Sequence, residues 1–174
     1  MNIEIERKFY LGNYNLDDLK INYDEKRVIN QTYISITEQT ETRLREYEEK
    51  GTYEIGMKTV NNIEKLEWDS IIDEEFYNKL IKSKVTPTLR KNRYYFTSDE
   101  RFKDYYLDVF IKGNNKVMIV LEVEFEDRIR YEDYNESELR SFLKEKTNLE
   151  DQVIVDVSNN SYFKNSNLAN ILGR

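Results

Sequence analysis

Ile3-Glu4-Ile5-Glu6-Arg7-Lys8-Phe9 is the stretch on which the reading of this chain turns. Side chains of an extended strand point alternately to opposite faces. Glu4, Glu6 and Lys8 therefore share one face, while Ile3, Ile5 and Phe9 define the other. Two carboxylates and an ammonium in one row are equipped to hold a hard divalent cation beside a phosphate. A solvated charge ladder would be spelled the same way. What separates the two readings is recurrence: the alternation returns, with its charges in phase, along most of the chain.

Eight extended segments are expected, at about residues 2–11, 27–36, 41–48, 52–60, 63–72, 89–98, 104–112 and 116–127. Lys50-Gly51 turns the third into the fourth, and Gly113-Asn114-Asn115 turns the seventh into the eighth. Short amphipathic helices fill the gaps. Asp73 is placed to cap one carrying Phe76, Leu80 and Ile81, and Asn135 or Ser137 another carrying Leu139, Phe142 and Leu143. Asn15 is placed to cap a short one through Leu16 and Leu19, and Leu168, Ile171 and Leu172 have helical spacing near the end. Many strands joined by short turns suggest an antiparallel barrel or sandwich.

The polar face of these segments repeats one set of groups: Glu4, Glu6 and Lys8; Arg43 and Arg45; Lys58; Lys65, Glu67 and Asp69; Lys91 and Arg93; Asp108; Glu122 and Glu124. The opposite face carries Ile55, Met57, Leu66, Trp68, Leu107, Val109, Leu121, Val123 and Phe125, which need helices or a partner to cover them. A barrel with a charged lumen and a helix-covered apolar exterior satisfies both faces. An exterior only partly covered by short helices favours a homodimer. The charged set is balanced between acids and bases. A triphosphate bears about four to five negative charges, which one or two divalent cations nearly cancel, so a balanced lumen accepts the metal-loaded ligand. A purely structural network of buried ion pairs is the competing reading, disfavoured because desolvation can exceed the Coulombic gain.

Composition narrows the chemistry. The chain has 174 residues, 35% charged and 39% hydrophobic, with 14 Tyr and 8 Phe, as expected of one folded domain over 1–174. There is no Cys and no His, which excludes disulfides, thiolate catalysis and imidazole bases and leaves only oxygen ligands for a metal. A net charge of −7, with no unbalanced basic run, argues against a nucleic-acid polymer as partner. No stretch approaches the roughly 18 apolar residues of a membrane span, and the start lacks a signal-peptide core, so a cytoplasmic location without membrane contact is expected.

Glu4-x-Glu6-x-Lys8 resembles the ExExK signature of the CYTH superfamily, the triphosphate tunnel metalloenzymes, which include class IV adenylyl cyclases, thiamine triphosphatases and inorganic triphosphatases. The resemblance runs nearly end to end. Gln31-Thr32-Tyr33 is similar to the family's Q-x-Y, Arg43-Leu44-Arg45 to its R-x-R, and Ile55-Gly56-Met57-Lys58 to its strand ending in Lys. Lys65-Leu66-Glu67 resembles the basic-x-Glu strand and Lys91-Asn92-Arg93-Tyr94 the K-x-R-Y. Asp108 within Leu107-Asp108-Val109-Phe110 matches the strand with a metal-facing Asp, and Glu122-Val123-Glu124 the closing E-x-E.

The resemblance implies an α+β, mainly β fold: an eight-stranded antiparallel closed barrel, or tunnel, with flanking short helices. It implies Mg2+ or Mn2+ held by Glu4, Glu6, Glu67, Asp108, Glu122 and Glu124, and a triphosphate-containing small molecule gripped by Lys8, Arg43, Arg45, Lys58, Lys65, Lys91 and Arg93. Glu4 or Glu6 would orient an attacking water in the absence of His, with Lys8 beside them and Tyr33 holding a neighbouring Lys. Trp68 and the tyrosines are available to stack on an organic group. The activity implied is metal-dependent triphosphate hydrolysis. The alternatives are a class IV adenylyl cyclase making cyclic AMP and pyrophosphate, or a non-catalytic nucleotide or polyphosphate binder. One departure stands out. The family commonly ends E-V-T-x-D-x-R-Y-x-N, whereas this chain has Asn160 where Asp is usual and Tyr162 where Arg is usual. A phosphate or capping contact there is then absent or supplied by Lys164.

Overall fold

Alternating residues need partner strands, and the computed structural model, which describes residues 2–60, 63–97 and 102–174, supplies them. The strands are β1 (Asn2–Asn15), β2 (Glu25–Ile36), β3 (Thr40–Tyr47), β4 (Thr52–Thr59), β5 (Glu64–Ile72), β6 (Leu89–Tyr95), β7 (Asp104–Gly113), β8 (Lys116–Glu124) and the two-residue β9 (Val155–Asp156). Among the described residues four α-helices accompany them: α1 (Glu74–Leu80), α2 (Arg128–Glu132), α3 (Glu136–Lys146) and α4 (Asn165–Leu172). All eight expected strands are present; residue 98, the last of the sixth segment, lies outside the described residues. The pairing order is β5-β4-β3-β2-β6-β7-β8-β1-β9, and β5 also pairs with β1, so the order of the eight long strands closes on itself. The β1–β8, β2–β3, β3–β4, β4–β5 and β7–β8 ladders are antiparallel. Among the described residues no helix is long and apolar enough to cross a membrane.

The chain divides into two compact units. The first comprises Met1–Glu4, Arg27–Lys91 and Asn160–Arg174, and the second Ile5–Lys26 and Asn92–Asn159. In the second unit the apolar faces of β1, β7 and β8 are covered as expected. Leu107, Val109, Leu121 and Val123 are fully buried with Leu139, Phe142 and Leu143 of α3, and Phe142 packs edge-on against Tyr105 at 4.3 Å. Asn135 caps α3, accepting from the Ser137 amide at 2.9 Å. Asn15 does not cap its 3-10 turn over Leu16–Asp18; its amide donates to Asp18 at 3.1 Å instead.

In the first unit the cover is incomplete. Ile3, Met57, Leu66 and Trp68 are each at least 40% exposed. Helix α1 is capped by Asp73, which accepts from the Phe76 amide at 2.7 Å, but it buries Tyr77 against Tyr53 rather than Phe76, which is exposed. It has seven residues and packs on the β4 end that carries Tyr53. In α4, Leu168 and Ala169 are buried, whereas Ile171 is exposed. The turns behave as composition requires: Gly51 has φ +55° and Gly113 φ +105°, a region most side chains avoid.

Candidate active site

Register turns each ladder into rows of side chains on one face. In the first unit one row joins Glu41, Lys58 and Glu67, the next Arg43, Gly56 and Asp69, and a third Arg45, Glu54 and Ile71, across β3, β4 and β5. From β2, Tyr33 extends the second row and Gln31 the third. Arg43 is buried, and its Nη2 donates to Glu67 and, at 3.3 Å, to Asp69. Arg45 donates to Gln31 at 3.0 Å and to Glu54 at 3.1 Å, while Lys58 pairs with Glu4. Tyr33 is buried, and its hydroxyl accepts from the Gln31 amide at 2.7 Å. Lys65 lies on β5 in phase with Glu67 and is half-buried, and Lys91 on β6 is wholly buried.

Electrostatics follow from this packing. Burial works against the charge of Arg43, but Glu67 and Asp69 outweigh it and hold the guanidinium above its ordinary value. Burial would likewise raise the Glu67 carboxyl, yet Arg43, Lys58 and Arg45 bring it down to about 2. Asp69 moves the other way: burial, reinforced by the neighbouring Glu67 charge, pushes its carboxyl up against the pull of Arg43. Glu67 is therefore the firm counter-ion of Arg43 and Asp69 the weaker one. One donor is left over: Nε of Arg43 is buried without a hydrogen-bond partner among the described residues, on the side facing Gly56. A guanidinium N–H of this kind matches anionic oxygens in type, and the carboxylate of Asp69 fills the space that a side chain at Gly56 would take.

The second unit has its own charged face. Its rows are Glu6, Glu124 and Asp104, then Lys8, Glu122 and Tyr106, across β1, β8 and β7. Arg93 and Asp108, expected at phosphate and metal respectively, are joined to each other by two hydrogen bonds of 2.7 Å, and Arg93 also donates to Glu122. Asp108 has no exposed surface. Lys8 holds the other Glu122 oxygen at 2.7 Å and stands 3.8 Å from Glu6. The Tyr106 ring covers the Arg93 guanidinium at 4.7 Å. Burial opposes the Arg93 charge, but Asp108 and Glu122 hold it well above its ordinary value.

The acidic, oxygen-only donors of this face fit Mg2+ or Mn2+ in type. As the side chains stand, no three acids among the described residues converge closely enough to hold an ion. Both Glu122 oxygens are engaged, one by Lys8 and the other by Arg93.

The sequence reading missed Glu41, Glu54 and Asp104 on these faces. The alternation that selected Arg43, Lys58 and Asp108 also selects them, each being in phase with its neighbour. Trp68 is corrected: it is the register partner of Met57, on the face opposite Gly56 and Asp69, and cannot line the charged side of its strand. The departure near the end is also resolved in part. Asn160 keeps a capping role, accepting from the Tyr162 amide at 3.0 Å, while Tyr162 is exposed and packs edge-on against Phe163. Ser166 of α4 donates to Glu41 at 2.6 Å, a contact with no signal in the alternation.

By sequence the chain matches no known family profile and no curated protein. Solved structures do resemble it. The inorganic triphosphatase NE1496 is 24% identical over 97% of this chain and 95% of its own, with a TM-score of 0.53. HpAC1 from Hippeastrum, which has a dominant triphosphatase activity, is 15% identical over 82% of this chain and 87% of its own, with a TM-score of 0.58. The adenylate cyclase candidate bh2851 from Bacillus halodurans is 15% identical over 94% of this chain and all of its own, with a TM-score of 0.56. The antiparallel strands, their closed pairing order and these likenesses agree: the chain shares the fold of these proteins, the fold that the CYTH resemblance of its motifs implied.

Proposed function

We propose that this chain binds a triphosphate and, with Mg2+ or Mn2+, hydrolyses it. The observation that carries the reading is the buried Arg43 guanidinium with an open N–H beside Gly56, in a row flanked by Arg45 and Lys58. The triphosphatase activities of NE1496 and HpAC1 support it. Arg43 presents a planar fork to phosphoryl oxygens, and Arg45 and Lys58 add positive charge along the same face. Glu67 keeps Arg43 paired and charged throughout. Lys65, in phase with Glu67, and the buried Lys91 belong to the same proposed phosphate-binding set.

Of the six acids expected at a metal, Glu6, Glu122 and Glu124 are the ones proposed to hold it, with Lys8 and Arg93 positioning Glu122; Glu4, Glu67 and Asp108 are the partners of Lys58, Arg43 and Arg93. When bound, the metal neutralises charge on the phosphate and polarises a phosphoryl oxygen. Without His, Glu4 and Glu6 are the carboxylates proposed to orient water. The rate then comes chiefly from positioning and charge stabilisation.

The test is a panel of tripolyphosphate, ATP and other triphosphates with magnesium or manganese, read for both orthophosphate and cyclic nucleotide. Orthophosphate from tripolyphosphate is the expected product. Cyclic AMP and pyrophosphate from ATP would assign a cyclase instead, and tight binding without turnover a binding module.

A further inference from the structure

Gly56 does more than satisfy a strand. It sits between Arg43 and Asp69 in one register row, and a Cβ built on it would overlap Oδ1 of Asp69 and come within 3.3 Å of Arg43 Nε. The missing side chain is what lets the Asp69 carboxylate lie across β4 and reach Arg43. Two carboxylates thus share one arginine nitrogen, and they differ in how they are held. The Glu67 side chain is 17% exposed and that of Asp69 32%.

We propose that Asp69 is an internal stand-in for a phosphoryl oxygen: it occupies the space over Gly56 in the empty protein and is displaced toward solvent when the ligand's phosphoryl group takes its place at Arg43. The inference rests on the triphosphate reading given above and adds the residue that sets its affinity. Displacement is chemically feasible because Glu67 stays behind as counter-ion, so the buried guanidinium is never left unpaired. The incoming oxygen also gains the Nε donor that Asp69 leaves unused. A carboxylate that must leave first lowers the apparent affinity by the fraction of molecules in which it is already out. Asp69 therefore biases the site against weakly charged anions, which cannot repay its removal, and toward polyanions, which can.

The experiment is calorimetric binding of inorganic tripolyphosphate at fixed magnesium to the wild type, Asp69→Asn, and Glu75→Gln. The last removes the same charge from the exposed first turn of α1. Asp69→Asn keeps the shape and is expected to bind about tenfold tighter, as when one charge-assisted hydrogen bond no longer competes. Glu75→Gln should match the wild type. The gain should vanish in an Arg43→Lys background, where the shared guanidinium nitrogen is gone. Equal affinity of wild type and Asp69→Asn, in protein shown to be folded, would overturn the inference while leaving the triphosphate reading intact. An equal gain in Glu75→Gln, or a gain that survives Arg43→Lys, would overturn it as mere bulk charge. No binding by either the wild type or Asp69→Asn would overturn the triphosphate reading, and this inference with it.

Discussion

Arg93→Leu is expected to destabilise the protein by about 3–5 kcal/mol, the cost typical of breaking a buried ion pair by removing one partner. Asp108 has no exposed surface and both its oxygens accept from Arg93. Taking the guanidinium away removes both of those hydrogen bonds from a carboxylate that has no access to water, and leaves Glu122 with Lys8. The measurement is urea unfolding, followed by circular dichroism, of the wild type and the variant. The double replacement Arg93→Leu with Asp108→Leu should recover a large part of the loss, because no unpaired charge then remains at that position. A single variant as stable as the wild type would mean that the pair is not formed in solution.

Glu6→Gln is expected to leave the fold intact and to lower turnover by about a thousandfold. The loss of metal-mediated charge stabilisation is worth several kcal/mol, and each 1.36 kcal/mol or so is tenfold in rate. Glu6 lies on the charged face of β1 as the register partner of Glu124, with its apolar neighbour Ile5 on the other face carrying the packing. Glutamine keeps the shape and removes the charge, so raising manganese should recover part of the lost rate. Turnover equal to the wild type in well-folded Glu6→Gln would remove Glu6 from the proposed metal set.

How much of this was legible in the sequence depends on whether a feature is written in alternation. Period two gave the strands, both faces and the in-phase residues Arg43, Arg45, Lys58, Glu122 and Glu124, because charged and apolar residues keep to opposite faces and a slip of one residue would invert every side chain. The same rule, applied without preference for cations, would have found Glu41, Glu54 and Asp104. Other features lie outside it. Which acid pairs with which base depends on register between strands distant in sequence: Arg93 reaches Asp108 through pairing that no local pattern encodes. Trp68 shows the opposite failure. Its chemistry invited a stacking role, but its phase had already put it on the face away from Asp69. Helix α1 turned on a single position, with Tyr77 rather than Phe76 facing inward, because a seven-residue helix is oriented by its contact with Tyr53 more than by its own periodicity.

If the face bearing Arg43 is the proposed triphosphate site, calorimetry of tripolyphosphate binding should separate the wild type from Arg43→Ala. Arg43 offers the open N–H and the fork, so its removal should weaken binding by about ten- to a hundredfold, the equivalent of about 1.5–3 kcal/mol for a hydrogen bond to a charged group. Added manganese should not restore the loss, because the missing group is a phosphate donor and not a metal ligand. Undiminished affinity in folded Arg43→Ala would mean that the triphosphate does not bind at Arg43.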